Sequence, residues 1–515
     1  MARVNLDALI PREDFEVSES VSSGKKKESI SIEDLKSDSF FYPLIRKPDF
    51  QRETNEWDAD KIVQFIESFV NGDLIPALIL WRSPSGLLFV IDGSHRLSSL
   101  LSWINDDYGD GNISKTFYDL LIPEEQISTA EEARKLVRKR IGTYSDLRQA
   151  VLQPEKVPPD ILSRAKNLGA LAIQLQWVEG DVKTAEKSFF KINQEAVPID
   201  PTELKLLESR KKPNCIAARA IIRAGTGHKY WSKFSKENQL KIEDLAKEIN
   251  EILFSPKLET PVKTLDIPIG GKLYSAQTLP LVLEFVEMTN SRLMNAKTML
   301  DDEDGSVTIQ MLQNARKVAQ QINSMHASSL GLHPIVYFYS QDGRHKIASF
   351  YATVSLVMDL QTRNMLKDFI NVRASFEETI LENDYLVQQI NRKFRSAKAS
   401  SSHIKDFFLL LIDFLNNGIL PNKLIPLIIQ DPNFDYLTLQ QESPDISSNE
   451  FSTQRKSAAY IREAINHATR CKICGGYLHK NSISIDHIQR KEDGGLGSID
   501  NAQLSHPYCN TGIKN

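Results

Sequence analysis

Cysteine is scarce in this sequence, with four residues among 515, which is too few for a disulfide framework. Long hydrophobic runs are also missing, because the most apolar stretch, residues 407–415, is interrupted by Asp413 and is far shorter than the ~20 residues that cross a bilayer. No Walker A sequence occurs, which excludes a P-loop NTPase. Charges near the N-terminus precede any apolar core of signal-peptide length. We therefore expect a cytoplasmic protein with no membrane partner, in which clustered cysteines indicate metal or redox chemistry.

The composition is that of an ordinary soluble protein. Hydrophobic residues make up 41% and charged residues 25%, and 63 Lys and Arg stand against 67 Asp and Glu, for a net charge of -4. Such a balance argues against a protein that coats nucleic acid by bulk attraction, but it leaves a local basic site open. The length suggests about three domains.

Five segments follow from the local patterns, and together they predict a multidomain α+β protein. Residues 1–38 are rich in Ser, Lys and Glu and are expected to form a poorly ordered, flexible arm. Residues 39–223 show an α/β pattern, residues 224–440 are mostly helical by periodicity, and residues 441–456 are polar enough for a linker. The last domain then spans residues 457–515.

The strongest chemical pattern is a pair of ligand pairs near the C-terminus. Cys471 and Cys474 form a C-x-x-C pair, and His506 and Cys509 form a later H-x-x-C pair. Two such pairs supply the four ligands of a closed tetrahedral zinc site, which can hold together a segment too small for a core of its own. The alternatives are coincidence or a thioredoxin-like redox motif, but a redox motif needs no second pair.

Residues between and beside these pairs suit phosphodiester hydrolysis. Asp486 and His487 are adjacent at the end of an alternating run that predicts a strand, Asn501 follows a Gly-rich turn, and Asn510 comes directly after Cys509. A carboxylate and an amide oxygen can bind a divalent cation, Mg or Mn, beside a histidine that deprotonates water. Each residue alone is more often structural.

In this order and spacing the segment resembles an HNH endonuclease of the ββα-metal class. The resemblance implies that His487 is the general base, that Asp486 and Asn510 bind the catalytic magnesium, and that Asn501 braces the loop that orients His487. Two departures are His506, where zinc-bearing members usually have a cysteine, and Asn510, where many members have a histidine. Both remain compatible with metal binding.

The charge distribution agrees with a DNA-cutting segment. Residues 455–515 hold 9 Lys and Arg against 5 Asp and Glu, which leaves 54 against 62 in the rest of the chain. Basic side chains that can neutralise backbone phosphates are Arg462, Arg470, Lys472, Lys480, Arg490 and Lys491. Ordinary surface charge accounts for any one of them equally well.

A second candidate site lies in the N-terminal third. The buried strand predicted over residues 87–91 ends at Asp92, Gly93 permits a sharp turn, and a helix is predicted from Ser94, with His95 and Arg96 in its first turn. Backbone amides at a helix start favour a phosphate, and the two basic side chains can add to the attraction. The alternative is an Asp-Gly turn that only caps the helix.

Three motifs around this turn resemble the ParB/sulfiredoxin-like domain of GmrS-type restriction subunits, over roughly residues 40–210. Their counterparts in this sequence are Gln51, Arg52 and Trp57, then Asp92, Gly93, His95 and Arg96, then Phe190, Asn193, Pro198, Glu203 and Leu204. The resemblance implies a nucleotide or phosphate site at Asp92, Gly93, Ser94, His95 and Arg96, supported by Arg52 and Asn193. Ser94 departs from the usual Gln, so a role of that Gln in positioning water would be lost.

The two resemblances on one chain imply a GmrSD-like, modification-dependent restriction protein, in which an N-terminal domain that senses an NTP or a DNA modification gates an HNH nuclease. The expected partners are DNA, foreign or phage DNA above all, and a nucleotide whose identity stays open, with NTPase activity in the N-terminal domain. The alternative is a ParB-like, nucleotide-dependent DNA-binding switch whose zinc segment is not catalytic. An RNA substrate, restraint by a partner and a homo-oligomer also stay open.

Overall fold

The computed structural model describes residues 3–513 except 14, 16–24, 49–50, 52–53, 56, 119, 121, 123, 197–200, 227–229, 274, 276, 295–298 and 440–448. The chain divides into two compact units. The first comprises Met1–Arg210 and Thr226–Tyr230, and the second comprises Lys211–Gly225 and Trp231–Asn515.

A six-stranded mixed sheet organises the first unit. Its strands are β1 (Arg12–Glu13), β2 (Ser29–Ser31), β3 (Ile45–Pro48), β4 (Leu78–Arg82), β5 (Leu88–Asp92) and β6 (Ala172–Val178). Their order across the sheet is β1-β3-β5-β4-β6-β2. The pairs β1–β3, β3–β5 and β4–β6 are parallel, whereas β4–β5 and β2–β6 are antiparallel. β5 lies inside the sheet, and Asp92 at its C-terminal end pairs with Ile79 of β4.

Helices cover this sheet and supply its core. They are α1 (Ala59–Asn71), α2 (Ser94–Asn105), α3 (Asn112–Phe117), α4 (Glu124–Arg140), α5 (Tyr144–Leu152), α6 (Pro159–Leu168), α7 (Val182–Ala196) and α8 (Pro201–Glu208). In α1, Asp58 caps the first turn by accepting from Lys61 N at 3.0 Å, and Gly72 ends the helix in the left-handed region. The apolar side of α1 is buried in the main core of the unit.

The N-terminal segment differs from the expected flexible arm over residues 1–38. Val4, Leu9 and Ile10 are buried in the main core, and so are Ile30 and Leu35 farther along. The excess of Ser, Lys and Glu that suggested disorder falls between these apolar positions, and much of it lies in 16–24, outside the described residues. The few apolar residues of the segment pack into the core, and its strands β1 and β2 form the two edges of the sheet.

The second unit is largely helical, as the sequence predicts for its middle region. Its helices are α9 (Pro213–Ile222), α10 (Lys236–Phe254), α11 (Thr278–Thr289), α12 (Ser291–Met294), α13 (Ser306–Ile322), α14 (Pro334–Tyr337), α15 (Ile347–Thr362), α16 (Leu366–Glu382), α17 (Asp384–Phe394), α18 (Ala397–Asn416), α19 (Pro421–Ile428) and α20 (Thr453–Asn466). The apolar stretch at 407–415 lies in α18, where Phe407, Phe408 and Leu411 are buried. We refer to α9–α19 and their connecting loops as the helical body.

The C-terminal segment adds one small hairpin and a short helical turn. Strands β7 (Ser484–His487) and β8 (Ala502–Ser505) are antiparallel, and the turn Cys509–Ile513 follows β8. The expected α+β class is thus confirmed. Within the described part of the chain, no helix combines the length and the apolar character needed to cross a membrane.

Candidate metal centre and active site

A tight turn carries the first pair of sulfur ligands. Cys471 N donates to Gly476 O at 2.8 Å, and Gly475 N donates to Cys471 O at 2.9 Å. Gly475 has φ +72°, a conformation that residues with a Cβ rarely adopt. Ile473 N points towards Cys471 Sγ at 3.4 Å, so the backbone of the turn favours a negatively charged sulfur. The turn holds Cys471 and Cys474 on one short loop.

The structure brings the four predicted zinc ligands together. The sulfurs of Cys471, Cys474 and Cys509 and a ring nitrogen of His506 all lie within 4.8 Å of one another. His506 Nδ1 is 3.4 Å from Cys474 Sγ and 3.8 Å from Cys509 Sγ. Sulfur at about 2.3 Å and nitrogen at about 2.0 Å from one tetrahedral ion would be separated by about 3.6 Å. The observed separations therefore suit a single zinc ion.

Hydrogen bonding fixes which nitrogen of His506 faces the sulfurs. His506 Nε2 lies 3.0 Å from Tyr477 O, a carbonyl that can only accept, so Nε2 carries the proton. Burial lowers the pKa of His506, which favours the neutral ring. Nδ1 consequently keeps a lone pair for a metal, in the arrangement that a ligating histidine usually has.

The three thiols share their protons unequally. Side-chain hydrogen bonds from Cys474 and Cys509 lower the pKa of Cys471, because both neighbours stabilise its thiolate. The hydrogen bond with Cys471 raises the pKa of Cys474 to about 11 and also raises that of Cys509. Three sulfurs and one nitrogen, with no carboxylate among them, form a donor set that fits zinc and fills all four positions of a structural site.

Two residues of the helical body, absent from the sequence prediction, reach this cluster. Arg373 and Glu377 of α16 are fully buried, and Arg373 Nε donates to Glu377 Oε1 at 2.7 Å. Burial opposes the charge of Arg373, but the carboxylate of Glu377 and the nearby Cys474 raise its pKa. An i,i+4 Arg and Glu pair on a helix is the one signal in the sequence, and it is indistinguishable there from a surface ion pair.

The predicted catalytic pair lies on β7. Asp486 is buried, and Gln503 of the partner strand donates from Nε2 to Asp486 Oδ2 at 2.6 Å. His487 is the last residue of the strand and pairs with Ala502 across the hairpin. Gln503 was missed by sequence reasoning, although the antiparallel register of the hairpin places it directly opposite Asp486.

Asn510 lies beside the same strand. Its Nδ2 donates to Ser484 Oγ at 2.8 Å and to Ile485 O at 3.3 Å, and its backbone N donates to His506 O at 3.0 Å. Both amide hydrogens of Asn510 are thus directed at β7, next to Asp486 in the chain. The side-chain oxygen of Asn510 is an oxygen ligand of the kind that Mg or Mn prefers.

Asn501 closes the loop that follows His487. Its Oδ1 accepts from Gln489 N at 2.7 Å, and its Nδ2 donates to Gln489 O at 3.2 Å and to Leu496 O at 2.8 Å. Its own carbonyl accepts from Ile488 N at 2.8 Å. One asparagine therefore holds both ends of the loop that continues directly from His487.

Two of the six basic side chains suggested for phosphate contact form ion pairs. Arg470 pairs with Glu378 at 3.1 Å, and Lys480 pairs with Asp266. The other four, which are Arg462, Lys472, Arg490 and Lys491, are exposed. Arg490 and Lys491 lie on the loop closed by Asn501, which puts positive charge close to His487 along the chain.

In the first unit, the predicted turn connects β5 to α2. Gly93 has φ +98°, and a Cβ added there would lie 2.4 Å from Leu78 Cδ2, so glycine is required. Leu97 N donates to Gly93 O at 2.9 Å, which starts the helix. Gln51 Nε2 donates to Ser94 Oγ at 3.3 Å, and this contact brings the first two predicted motifs together.

The basic side chains of this turn already have partners inside the unit. Arg96 Nη2 donates to Asp92 Oδ2 at 2.6 Å, and Arg96 Nη1 donates to the carbonyls of Pro76 and Ala77. His95 stacks on Trp57, with ring centroids 5.6 Å apart. In this structure Arg96 orders the loop before β4, and it is not directed outward from the helix start.

A buried charge network lies beside the turn and was not foreseen. Asp7 accepts from Arg12 Nη2 at 2.7 Å, from Lys47 Nζ at 2.7 Å and from Thr54 N at 3.1 Å. Arg12 Nη1 also donates to the carbonyl of Gln51. The side chains of Asp7, Arg12 and Lys47 are fully buried, so two cations share one carboxylate, and Arg12 connects them to the backbone of Gln51. Sequence reasoning missed this network because it assigned residues 1–38 to an arm.

Two supporting members of the N-terminal prediction cannot be placed. Arg52 lies outside the described residues, as does Pro198. Asn193 falls in α7, but its side chain is not described, and the same holds for Glu203 in α8. The structure thus joins Gln51 of the first motif to Ser94, and it pairs Asp92 with Arg96 within the predicted nucleotide site.

Comparison with protein families finds two matches on the chain. Residues 32–207 match the N-terminal domain of the GmrSD restriction endonuclease, and residues 471–515 match the HNH endonuclease family. These matches confirm both resemblances drawn from the motifs. Comparisons with curated proteins and with solved structures gave no match. The two domains together support a restriction-type DNA endonuclease, with DNA as the substrate.

Proposed function

We propose that the chain is a DNA endonuclease that hydrolyses phosphodiester bonds at His487, Asp486 and Asn510 with Mg or Mn, and that the first unit gates this cleavage in response to an NTP or a DNA modification. The observation that carries the proposal is the separation of roles in the C-terminal segment. Four residues suffice to hold zinc, yet the segment also has His487 and buried Asp486 on β7, with Asn510 hydrogen-bonded to that strand. A segment that only binds DNA has no use for these three residues in one place.

Each residue has a distinct part in the proposed reaction. His487, at the exit of β7, takes a proton from the attacking water, and Asn501 keeps the following loop in place while it does so. Asp486 and Asn510 supply the oxygen ligands, and Gln503 orients the carboxylate of Asp486. A divalent cation bound there supplies positive charge to the phosphate and to the leaving oxygen.

Cleavage by single variants tests the catalytic part. The His487→Ala chain should lose cleavage by about 10²–10⁴-fold, the usual contribution of a general base, and should retain one zinc per chain. His467→Ala is the matched control, since His467 is an exposed histidine of the same domain whose ring contacts Glu463 of α20. Plasmid cleavage with Mg, Mn or EDTA gives the readout. Undiminished cleavage by the His487→Ala chain would remove the catalytic assignment, and DNA binding without cleavage by the parent chain would favour the ParB-like switch.

The gating part rests on the turn at Gly93. The start of α2 has no side-chain cap, so its first backbone amides are oriented to favour an anion. Gln51 is buried beside it, and its Oε1 has no hydrogen-bond partner among the described residues. A buried amide oxygen of this kind calls for a donor, and the amino group or hydroxyl of a nucleotide can be one.

Calorimetry with each NTP tests this part. We expect Gln51→Leu to weaken binding by about fivefold, since one hydrogen bond to a ligand contributes about 1 kcal/mol. Arg96→Ala should also weaken binding, because it leaves the Asp92 carboxylate without its cation near the phosphate. Arg148→Ala is a control in the same unit, since Arg148 is an exposed arginine of α5. Equal affinity of the parent and Gln51→Leu chains would count against the site.

The substrate class is tested on one plasmid prepared in several forms. Unmodified, methylated and glucosylated DNA are each incubated with Mg, with and without each NTP. A sensing role predicts that cleavage depends on the modification, on the NTP or on both. Cleavage that is equal under all of these conditions would leave the nuclease and remove the gating proposal.

A further inference from the structure

We infer that Arg373 and Glu377 are positioning residues of the zinc centre. The helical body, and not the HNH segment (residues 471–515) alone, would then determine how firmly the metal is held. The inference concerns zinc retention and does not rest on the proposed cleavage reaction. It assigns a role to the helical body, about which the sequence pattern is uninformative.

Arg373 is fixed by groups of the helical body. Its Nη2 donates to Gly331 O at 3.1 Å, its Nη1 donates to Leu330 O, and its Nε donates to Glu377 Oε1 at 2.7 Å. Tyr337 adds a further hydrogen bond to Glu377 Oε1 at 2.9 Å. The rigid guanidinium fork therefore has a single orientation before any metal binds.

One end of this fork faces the metal cluster. Arg373 Nη1 lies 3.2 Å from His506 Nδ1, the ring nitrogen that faces the sulfurs. Both side chains are closely packed against a glycine. A Cβ on Gly476 would lie 2.6 Å from Arg373 Nε, and a Cβ on Gly331 would lie 2.6 Å from His506 Cδ2. The guanidinium and the imidazole are thus held side by side by two glycines.

Glu377 acts on the opposite side of the same imidazole. Tyr477 N donates to Glu377 Oε2 at 2.7 Å, and Tyr477 O accepts from His506 Nε2 at 3.0 Å. The peptide groups of Tyr477 therefore connect the carboxylate to the histidine. Glu377 thus orients His506 from α16 through Tyr477, while Arg373 of the same helix packs against the Nδ1 side of the ring.

Charge balance gives the pair a second effect. A divalent zinc with three thiolates and a neutral imidazole carries a net charge of about -1. Arg373 offsets this charge, whereas its removal would leave Glu377 and the anionic centre buried together without a cation. Uncompensated buried charge is strongly unfavourable, so the centre should release zinc more readily.

Zinc release to a chelator tests the inference on the full chain carrying His487→Ala, which removes any effect of cleavage. Arg373→Met should release zinc about 10–100-fold faster, the usual effect of losing such an outer hydrogen-bond partner, and Glu377→Gln should have a smaller effect in the same direction. Arg363→Met is the matched control, because Arg363 is an exposed arginine just before α16 that pairs with Asp359. Its release rate should equal that of the parent.

A second readout separates positioning from general destabilisation. With cobalt in place of zinc, the visible bands of the metal report its ligand geometry, and they should change in Arg373→Met and Glu377→Gln but not in Arg363→Met. Arg373→Lys, which keeps the charge but loses the fork, should fall between the parent and Arg373→Met and serves if the latter does not fold. Parental release rates and bands in Glu377→Gln and Arg373→Lys would overturn the inference.

Discussion

The two candidate sites are held in place by different means. The turn at Gly93 rests on a six-stranded sheet and a large apolar core, and its charged residues are paired within the unit. The HNH segment has almost no core, since Tyr477 and Leu478 are its buried apolar side chains besides two cysteines, while Ile485, Leu496 and Ile499 are exposed. Metal coordination and contact with the helical body must replace that core. A site of the first kind depends on packing, and a site of the second kind depends on a few polar bonds.

Zinc removal should have the largest effect, because it should unfold one of the two sites and leave the other intact. A structural zinc contributes about 10–16 kcal/mol to folding, so Cys471→Ser or chelation should abolish cleavage and unfold residues 469–513. Hydrogen exchange should increase across this segment and remain low in the first unit. Cys215→Ser is the control, because Cys215 is a buried cysteine of α9 outside the cluster. Retained protection of the segment without zinc would show that its contacts with the helical body suffice.

The next largest loss of stability is expected from disrupting the buried charge network of the first unit. Asp7→Asn leaves the buried cations Arg12 and Lys47 without the carboxylate that they share, and uncompensated buried charge costs about 3–5 kcal/mol. Denaturant unfolding followed in the first unit should show this loss. Lys61→Met on the exposed side of α1 should change the free energy of unfolding by no more than about 0.5 kcal/mol. Equal effects of the two variants would contradict the network.

Acid should weaken the second unit through a buried histidine. Burial lowers the pKa of His479 to about 4, from an ordinary value near 6.5. Below pH 6.5 the unfolded chain binds this proton and the folded chain does not, so stability falls as pH drops from 6.5 to 4, by up to about 3 kcal/mol. His345, whose pKa burial also lowers to about 4, adds to the slope. Thermal unfolding against pH should therefore be flatter in His479→Asn than in the parent.

The exposed His326 provides the control for this measurement. His326→Asn should leave the pH profile of the second unit unchanged, because His326 lies on the surface of its loop. A profile in which His479→Asn and His326→Asn are equally steep would show that His479 is not buried as a neutral ring in solution.

The smallest expected effect is the difference in the free energy of unfolding between two glycine variants of the first unit. Gly93 and Gly142 both have positive φ, but only a Cβ at Gly93 meets a neighbour, at 2.4 Å from Leu78. Backbone strain should destabilise both alanine variants by about 1–2 kcal/mol, and overpacking should destabilise Gly93→Ala by about 2 kcal/mol more. The difference between their free energies of unfolding isolates the packing beside the candidate nucleotide site. Indistinguishable values would mean that the turn can move away from β4.

Local patterns in the sequence predicted the ligands of the metal centre well. C-x-x-C and H-x-x-C spacing is imposed by the turn that carries each pair, so Cys471, Cys474, His506 and Cys509 could be named without a structure. The strand at β7 was also foreseen, but the pattern did not predict which of its residues would be buried. Ile485 is exposed and Asp486 is buried, because the polar contact with Gln503 outweighs the apolar pattern in so short a strand.

Local sequence patterns could not predict the contacts between distant segments. Arg373 lies more than 90 residues before Cys471, and no spacing rule predicts its partners, which are the carbonyls of Leu330 and Gly331 and the ring of His506. Asp7 was likewise invisible, because a single acid in a polar segment gives no sign that Arg12 and Lys47 will surround it. What decides these networks is the order in which helices and strands meet, and composition does not encode that order.

The hydrogen bonds between the HNH segment and loop 323–333 have a consequence for engineering. Tyr508 N donates to Ser329 O at 3.0 Å, Thr511 Oγ1 donates to Ala327 O at 2.9 Å, and Ser482 and Ser329 share a hydroxyl contact at 2.9 Å. A chimera that copied only residues 471–515 onto a foreign scaffold would carry every ligand and lose these acceptors together with Arg373. We therefore expect that a functional transplant of the nuclease segment must include the helices that it contacts.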